Sequence, residues 1–188
     1  LRAAVTLIEG GTIKNPWVDI IIVDEENTKT PEFEPIRFEV DKPEFFGSET
    51  RFASFLVDES NKEAHCAALK VSSCNDFRKP VVLLSDPGLG KTHLLHAIGN
   101  HILESKSGAR VALIRCEHFV IDVISAIRHG RYDQLRRRYR DAFDVFLVDD
   151  FSFISGKERS QEELYRTLRD IEARGKRIVI GSSSPINE

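Results

Sequence analysis

The chain lacks methionine altogether, has three cysteines and one tryptophan, and carries no apolar run near the ~20 residues that a membrane-crossing helix requires. The missing methionine has no physical account. Three cysteines are an odd set without a C-x-x-C pair, so Cys66, Cys74 and Cys116 read as reduced thiols of a cytoplasmic protein and not as a disulfide frame. The pairing of Cys116 with His118 as zinc ligands has little to support it. Charge is balanced as well: 27 Lys and Arg against 30 Asp and Glu give a net −3, which excludes a global basic field, so any nucleic-acid contact needs a local patch. The start, Leu-Arg-Ala-Ala, offers no initiator methionine and no basic-then-apolar leader, which points to neither a signal peptide nor a natural N-terminus.

With 188 residues, 41% apolar and 30% charged, the chain suffices for one soluble α/β domain and a small appendage. Residues 1–42 differ from the rest. They hold a Gly10-Gly11 turn signal, an apolar stretch Val18 to Val23 and a Pro- and Glu-rich stretch, and read as a strand-bearing appendage with a linker, with Trp17 in its core. Residues 43–188 read as the main domain. Here short aliphatic runs at Val81–Leu84, Val111–Ile114, Val145–Val148 and Ile178–Ile180 alternate with helical pattern, which predicts a parallel sheet flanked by helices.

Three helices have legible faces. Leu94, Leu95, Ile98 and Ile102 form one stripe; Phe119, Val120, Val123, Ile124 and Ile127 form a second; both should face the sheet. For the third, Ser160-Gln-Glu-Glu163 predicts a capping box, Leu164, Leu168 and Ile171 a buried face, and Gly175 a left-handed stop.

The chemistry is concentrated after the first of these strands, in Ser85-Asp86-Pro87-Gly88-Leu89-Gly90-Lys91-Thr92-His93 running into a helix. Glycines at this spacing let backbone N–H groups turn toward a polyphosphate, and a helix N-terminus adds its positive end. Lys91 is placed to reach the β- and γ-phosphates of ATP, and the Thr92 hydroxyl to bind magnesium. The usual phosphate-loop pattern opens on glycine where this chain has Ser85, a change that bears on pocket width and affinity. Val145 to Asp149-Asp150 is an apolar strand ending in two acids about 60 residues later, which makes Asp149 the expected magnesium ligand and Asp150 the residue that orients or deprotonates the attacking water. A metal site among His93, His96 and His101 is a weak alternative on a helix already facing phosphate and sheet.

The segment Gly88 to Asn100, the run Asp149-Asp-Phe-Ser-Phe-Ile-Ser-Gly-Lys157-Glu-Arg159-Ser-Gln-Glu-Glu163, and the linking stretch Glu117 to Arg140 resemble the AAA+ ATPase domain of the bacterial replication initiator DnaA family, with a weaker likeness at Phe46 to Ala53. That resemblance implies ATP-dependent head-to-tail self-assembly at an origin, and single-stranded DNA gripped by a helical insertion with Val120, Lys157 and Arg159 at the DNA. It also implies other replication proteins as partners. Where the family has an aspartate after the last strand, this chain has Ser183, which hydrogen-bonds but supplies no charge, so slowed hydrolysis is expected. An arginine finger and the helical lid would lie beyond Glu188. A helicase-loader or regulatory ATPase of the same fold, and a nucleotide-binding assembly module without hydrolysis, remain open alternatives. So does the use of the Arg128, Arg131, Arg136, Arg137, Arg138 and Arg140 cluster with Tyr132 and Tyr139, as a nucleic-acid surface, an inter-subunit contact or a solvated face.

Overall fold

The computed structural model describes residues 46, 47, 49–74 and 77–185, and residues 4–7 by their backbone. The Val18–Val23 stretch, the linker and Trp17 lie outside the described residues. A strand that the sequence pattern did not single out, β1 (Ala4–Leu7), pairs antiparallel with β2 (Val81–Leu84), Ala4 opposite Leu84. The other strands are β3 (Val111–Arg115), β4 (Val145–Asp149) and β5 (Arg177–Ser182), in the spatial order β1-β2-β5-β4-β3. Strands β2 to β5 are mutually parallel. Every residue of β4 is buried, as a central parallel strand covered on both faces requires.

Alternation along the strands divides the core in two. Phe146, Val148, Ile178 and Ile180 point to one face, where α3 (Cys116–His129), α4 (Tyr132–Asp141) and α5 (Glu158–Ala173) pack. Val145, Leu147 and Val179 point to the other, under α1 (Lys62–Ser73) and α2 (Lys91–Ser105). The stripe Leu94, Leu95, Ile98 and Ile102 on α2 is wholly buried. On α3, Phe119, Val120 and Val123 are buried but Ile124 is 43% exposed. At 100° per residue Ile124 lies about 90° from the centre of the apolar stripe, so it reaches the helix flank and not the sheet.

The start of α5 corrects the capping-box reading. The helix begins at Glu158 with Lys157 as its N-cap, so Ser160 and Glu163 lie inside it, both buried. Glu163 does not bond the helix start: its carboxylate accepts from Arg136 Nε at 2.8 Å and Nη2 at 3.1 Å, a forked pair that ties α4 to α5. Gly175 follows α5 at φ +66°, the expected left-handed stop. Arg177, 5% exposed at the start of β5, donates from Nη1 to the Val71 carbonyl at 3.0 Å and so satisfies a free acceptor at the end of α1.

A candidate nucleotide site at the end of the sheet

Strand β2 ends at Leu84, and the loop 85–90 turns directly into α2. Gly88 (φ +82°) and Gly90 (φ +86°) both take left-handed backbone that a side chain would oppose, and a Cβ on Gly88 would meet nothing within 4 Å, so the loop's rim is open. Ser85 needs no such freedom: Asp150 is the one non-glycine with positive φ among the described residues. Ser85 N–H instead donates to the Ser182 carbonyl at 3.3 Å, carrying the β2–β5 ladder one residue into the loop. Leu94 N–H is the first to take a carbonyl across the helix start, Gly90 O at 2.9 Å, which leaves the N–H groups of Lys91, Thr92 and His93 directed out of the helix end.

Lys91 is 8% exposed, and its ammonium donates to the carbonyls of Ser85 at 2.7 Å and Asp86 at 2.9 Å. Burial holds its pKa below the ordinary lysine value against the opposing pull of Asp149, Asp150 and Asp86. A buried cation of this kind, ringed by an outward-facing helix end, suits a polyphosphate anion. Asp149, 2% exposed, accepts from Thr92 Oγ1 at 2.8 Å through Oδ2 and from the Asp150 N–H at 2.9 Å through Oδ1. Hydroxyl and carboxylate oxygens so paired are hard ligands for magnesium. Gly181 on β5 keeps this corner tight: a Cβ there would lie 3.1 Å from Leu95 Cδ1 and 3.3 Å from Asp149 Oδ1.

Asp150 follows in left-handed backbone at φ +53°, and its exposed carboxylate lines a groove of about 330 Å³ with Arg115, Glu117, Ser152 and Phe153. Arg115 and Glu117 were not singled out as site residues by pattern; Arg115 sits across the β3–β4 ladder from Asp149, a neighbourhood that only pairing creates. Ser183 lies one residue past β5, half-buried; the neighbouring Ser182, fully buried, donates through Oγ to the Ser184 carbonyl at 2.6 Å.

Asp86, Pro87, Gly88 and Leu89 form the exposed outer turn of the loop. His93 departs from expectation: its Nε2 meets the Arg51 carbonyl at 2.9 Å and its ring packs on Phe55, so only its backbone N–H is directed toward the loop. Val120 also departs, since at 6% exposure it is packed in the core and its side chain offers a DNA strand little surface. Arg159 is exposed, and the Lys157 ammonium donates to the Phe153 carbonyl at 2.5 Å while lying 4.1 Å above the Phe153 ring. The arginine cluster divides. Arg136 holds Glu163, Arg138 lies 3.9 Å from Asp122 and Arg140 reaches Asp141 at 3.3 Å, whereas Arg128, Arg131 and Arg137 make no ion pair among the described residues. Cys116 is buried and His118 exposed, and no group of three metal-ligating side chains occurs among the described residues.

A family model of the bacterial DnaA ATPase domain matches residues 47–188. The chromosomal replication initiator protein DnaA of Thermodesulfovibrio yellowstonii is 43% identical over 135 residues, covering 71% of this chain. The chain spans about a third (31%) of that relative's length. Domain III of the Thermotoga maritima replication initiation protein DnaA superposes with a TM-score of 0.71 at 35% identity, covering 73% of this chain and 57% of that one. A replication initiator DnaA bound to AMPPCP and single-stranded DNA superposes with a TM-score of 0.67 at 28% identity, covering 74% of this chain and 43% of that one. The chain belongs to the family of bacterial DnaA ATPase domains, a parallel α/β fold of the AAA+ type.

Proposed function

We propose that this chain binds ATP with magnesium at the 85–93 loop, hydrolyses it slowly as a switch, and in an ATP-dependent head-to-tail assembly engages single-stranded DNA during replication initiation. The observation that carries the reading is the buried Lys91 ammonium beside the Thr92–Asp149 pair, at the C-terminal ends of β2 and β4 where ligands meet open α/β sheets. Lys91 would exchange its two loop carbonyls for phosphate oxygens, which are stronger acceptors because they are charged. Thr92 Oγ1 and Asp149 would hold magnesium, whose charge offsets that developing on the transferred phosphate. Asp150, pinned by its backbone and free at its carboxylate, would orient the attacking water. Ser183 would meet the γ-phosphate as a neutral donor, and the loss of a charge there is the reason for a slow step.

The DNA part of the proposal draws on the relative solved with AMPPCP and single-stranded DNA and on Lys157 and Arg159, two cations that flank Glu158 at the start of α5. Lys157 and Arg159 would contact phosphates there; the Val120 side chain takes no part.

Calorimetry with ATP–magnesium tests the nucleotide site. Wild-type chain should bind, and Lys91→Ala should lose at least about 100-fold in affinity with its fold intact, since two charge-assisted bonds of roughly 1.5–3 kcal/mol each go with the ammonium. Ser85→Gly should leave affinity unchanged, because Ser85 needs no left-handed backbone, and Ser183→Asp should speed phosphate release. Equal ATP affinity in Lys91→Ala would overturn the assignment.

A further inference from the structure

Five aromatic rings run in an unbroken ladder along the seam of α1 and α2: His93, Phe55, His65, Phe52 and His101. Successive centroids are 5.3, 5.7, 5.6 and 5.8 Å apart. Phe52 and Phe55 belong to residues 49–57, which contact α2 at Asn100 and His93 and reach Gly90 of the phosphate loop. The segment is fastened at the far end by Asn100, 2% exposed, whose Nδ2 donates to the Gly47 and Thr50 carbonyls at 3.2 and 2.9 Å. At its near end Phe55 abuts the loop itself: a Cβ on Gly90 would lie 2.7 Å from Phe55 Cε2 and 3.3 Å from Cζ. Gly90 is thus confined twice. Its left-handed φ of +86° opposes a side chain, and the Phe55 ring closes the space beside it.

We infer that Phe55 is a positioning residue for the phosphates of the bound nucleotide, acting through Gly90 and not through the base. Gly90 is the N-cap of α2, so its backbone sets the direction of the Lys91, Thr92 and His93 N–H groups. Beyond the Lys91 ammonium on the Ser85 and Asp86 carbonyls, the loop tip has little to hold it: Pro87 to Leu89 are exposed and Gly88 has no neighbour within 4 Å of where a Cβ would stand. A ring braced by His93 on one side and His65 on the other supplies a wall at Gly90, one residue before the lysine proposed to meet the phosphates. Removing it frees the turn in the unliganded protein, and ordering it again on binding weakens affinity.

The inference rests on the reading of this loop as the ATP site, and two probes separate them. Magnesium–ATP and magnesium–tripolyphosphate, which has no base, are titrated into the wild-type chain, Phe55→Ala and Phe55→Leu, with thermal melts to show that each variant is folded. Phe55→Ala should lose about 10-fold in affinity for both probes alike, the scale of re-ordering one backbone residue. Phe55→Leu, which keeps bulk against Gly90, should recover most of it. A loss confined to ATP would overturn the inference by making Phe55 a base contact, and unchanged affinity for both would overturn it by showing that the loop needs no wall. Failure of the wild-type chain to bind either probe would instead remove the ATP reading itself.

Discussion

Burial disfavours charge in two side chains near the upper end of the sheet, and it moves their pKa values in opposite directions. Lys91 is lowered by burial, while the nearby carboxylates of Asp149, Asp150 and Asp86 oppose the shift. Cys116, fully buried at the start of α3, is pushed up to about 12, first by burial and then by the negative charges of Asp150 and Asp149. A thiol so placed is inert, since the thiolate is the nucleophile and at pH 8 its fraction is on the order of 10⁻⁴. Iodoacetamide at pH 8 should therefore label the exposed Cys66 and Cys74 in the native chain and spare Cys116, with all three labelled after denaturation. Peptide mass spectrometry reads the pattern; Cys116 labelled as fast as Cys66 would show that the β3–α3 corner opens. The sign for stability follows from the same shift. The unfolded chain releases this proton near pH 9 and the folded chain only near 12, so Cys116 lowers stability as pH rises through that window.

At the level of elements, α4 is the one whose placement depends on polar ties. Of its residues only Leu135 and Tyr139 are buried, and Tyr139 donates to Asp122 of α3 at 2.6 Å. Arg136 reaches across to Glu163, and Lys176 holds the Arg140 carbonyl at 2.8 Å. Glu163→Ala should cost about 1–3 kcal/mol; half-exposed Arg136 can turn to water, which keeps the loss below that of a fully buried pair. A chemical-denaturation midpoint measures it, and no change would mean that packing of Leu135 and Tyr139 suffices. The same tie shows where sequence pattern stops being informative. Ser160 and Glu163 have the spacing of a capping box, but the partner that claims Glu163 lies 27 residues upstream and only the fold brings it near. By contrast the four parallel strands, the α2 stripe and the stop at Gly175 were readable, because each is set by local period or by one residue's backbone freedom. Helix α1 gave little signal: its buried face is Ala64, Ala68, Val71 and Ser72, small residues that contrast weakly with their neighbours. The phosphate loop and the Asp149–Asp150 pair were legible because glycine spacing and strand-end acids are local features, whereas the Phe55 wall and the Arg115–Glu117 groove arise from contacts between distant segments.

At the scale of the whole molecule, the net charge of −3 means that any attraction to DNA is confined to a small patch, and this makes the patch measurable. Three arginines of α4 are already engaged by carboxylates, which removes much of the apparent basic cluster from competition. Lys157, partly exposed, and Arg159, exposed, stand at the start of α5, two residues apart. If these two cations meet phosphates, each releases counterions, and the slope of log affinity against log salt for a single strand changes by ~0.7 per contact. Lys157→Ala with Arg159→Ala should therefore weaken binding of a single-stranded oligonucleotide by the ATP-bound chain and flatten its salt slope by about 1.4, while leaving ATP affinity unaltered. Arg136→Ala, which removes a cation engaged with Glu163, should reduce stability and leave the slope alone. Fluorescence anisotropy over a series of salt concentrations provides both quantities. An unchanged slope in the double variant would take the DNA contact away from α5, and an equal flattening in Arg136→Ala would assign it to the α4 arginines.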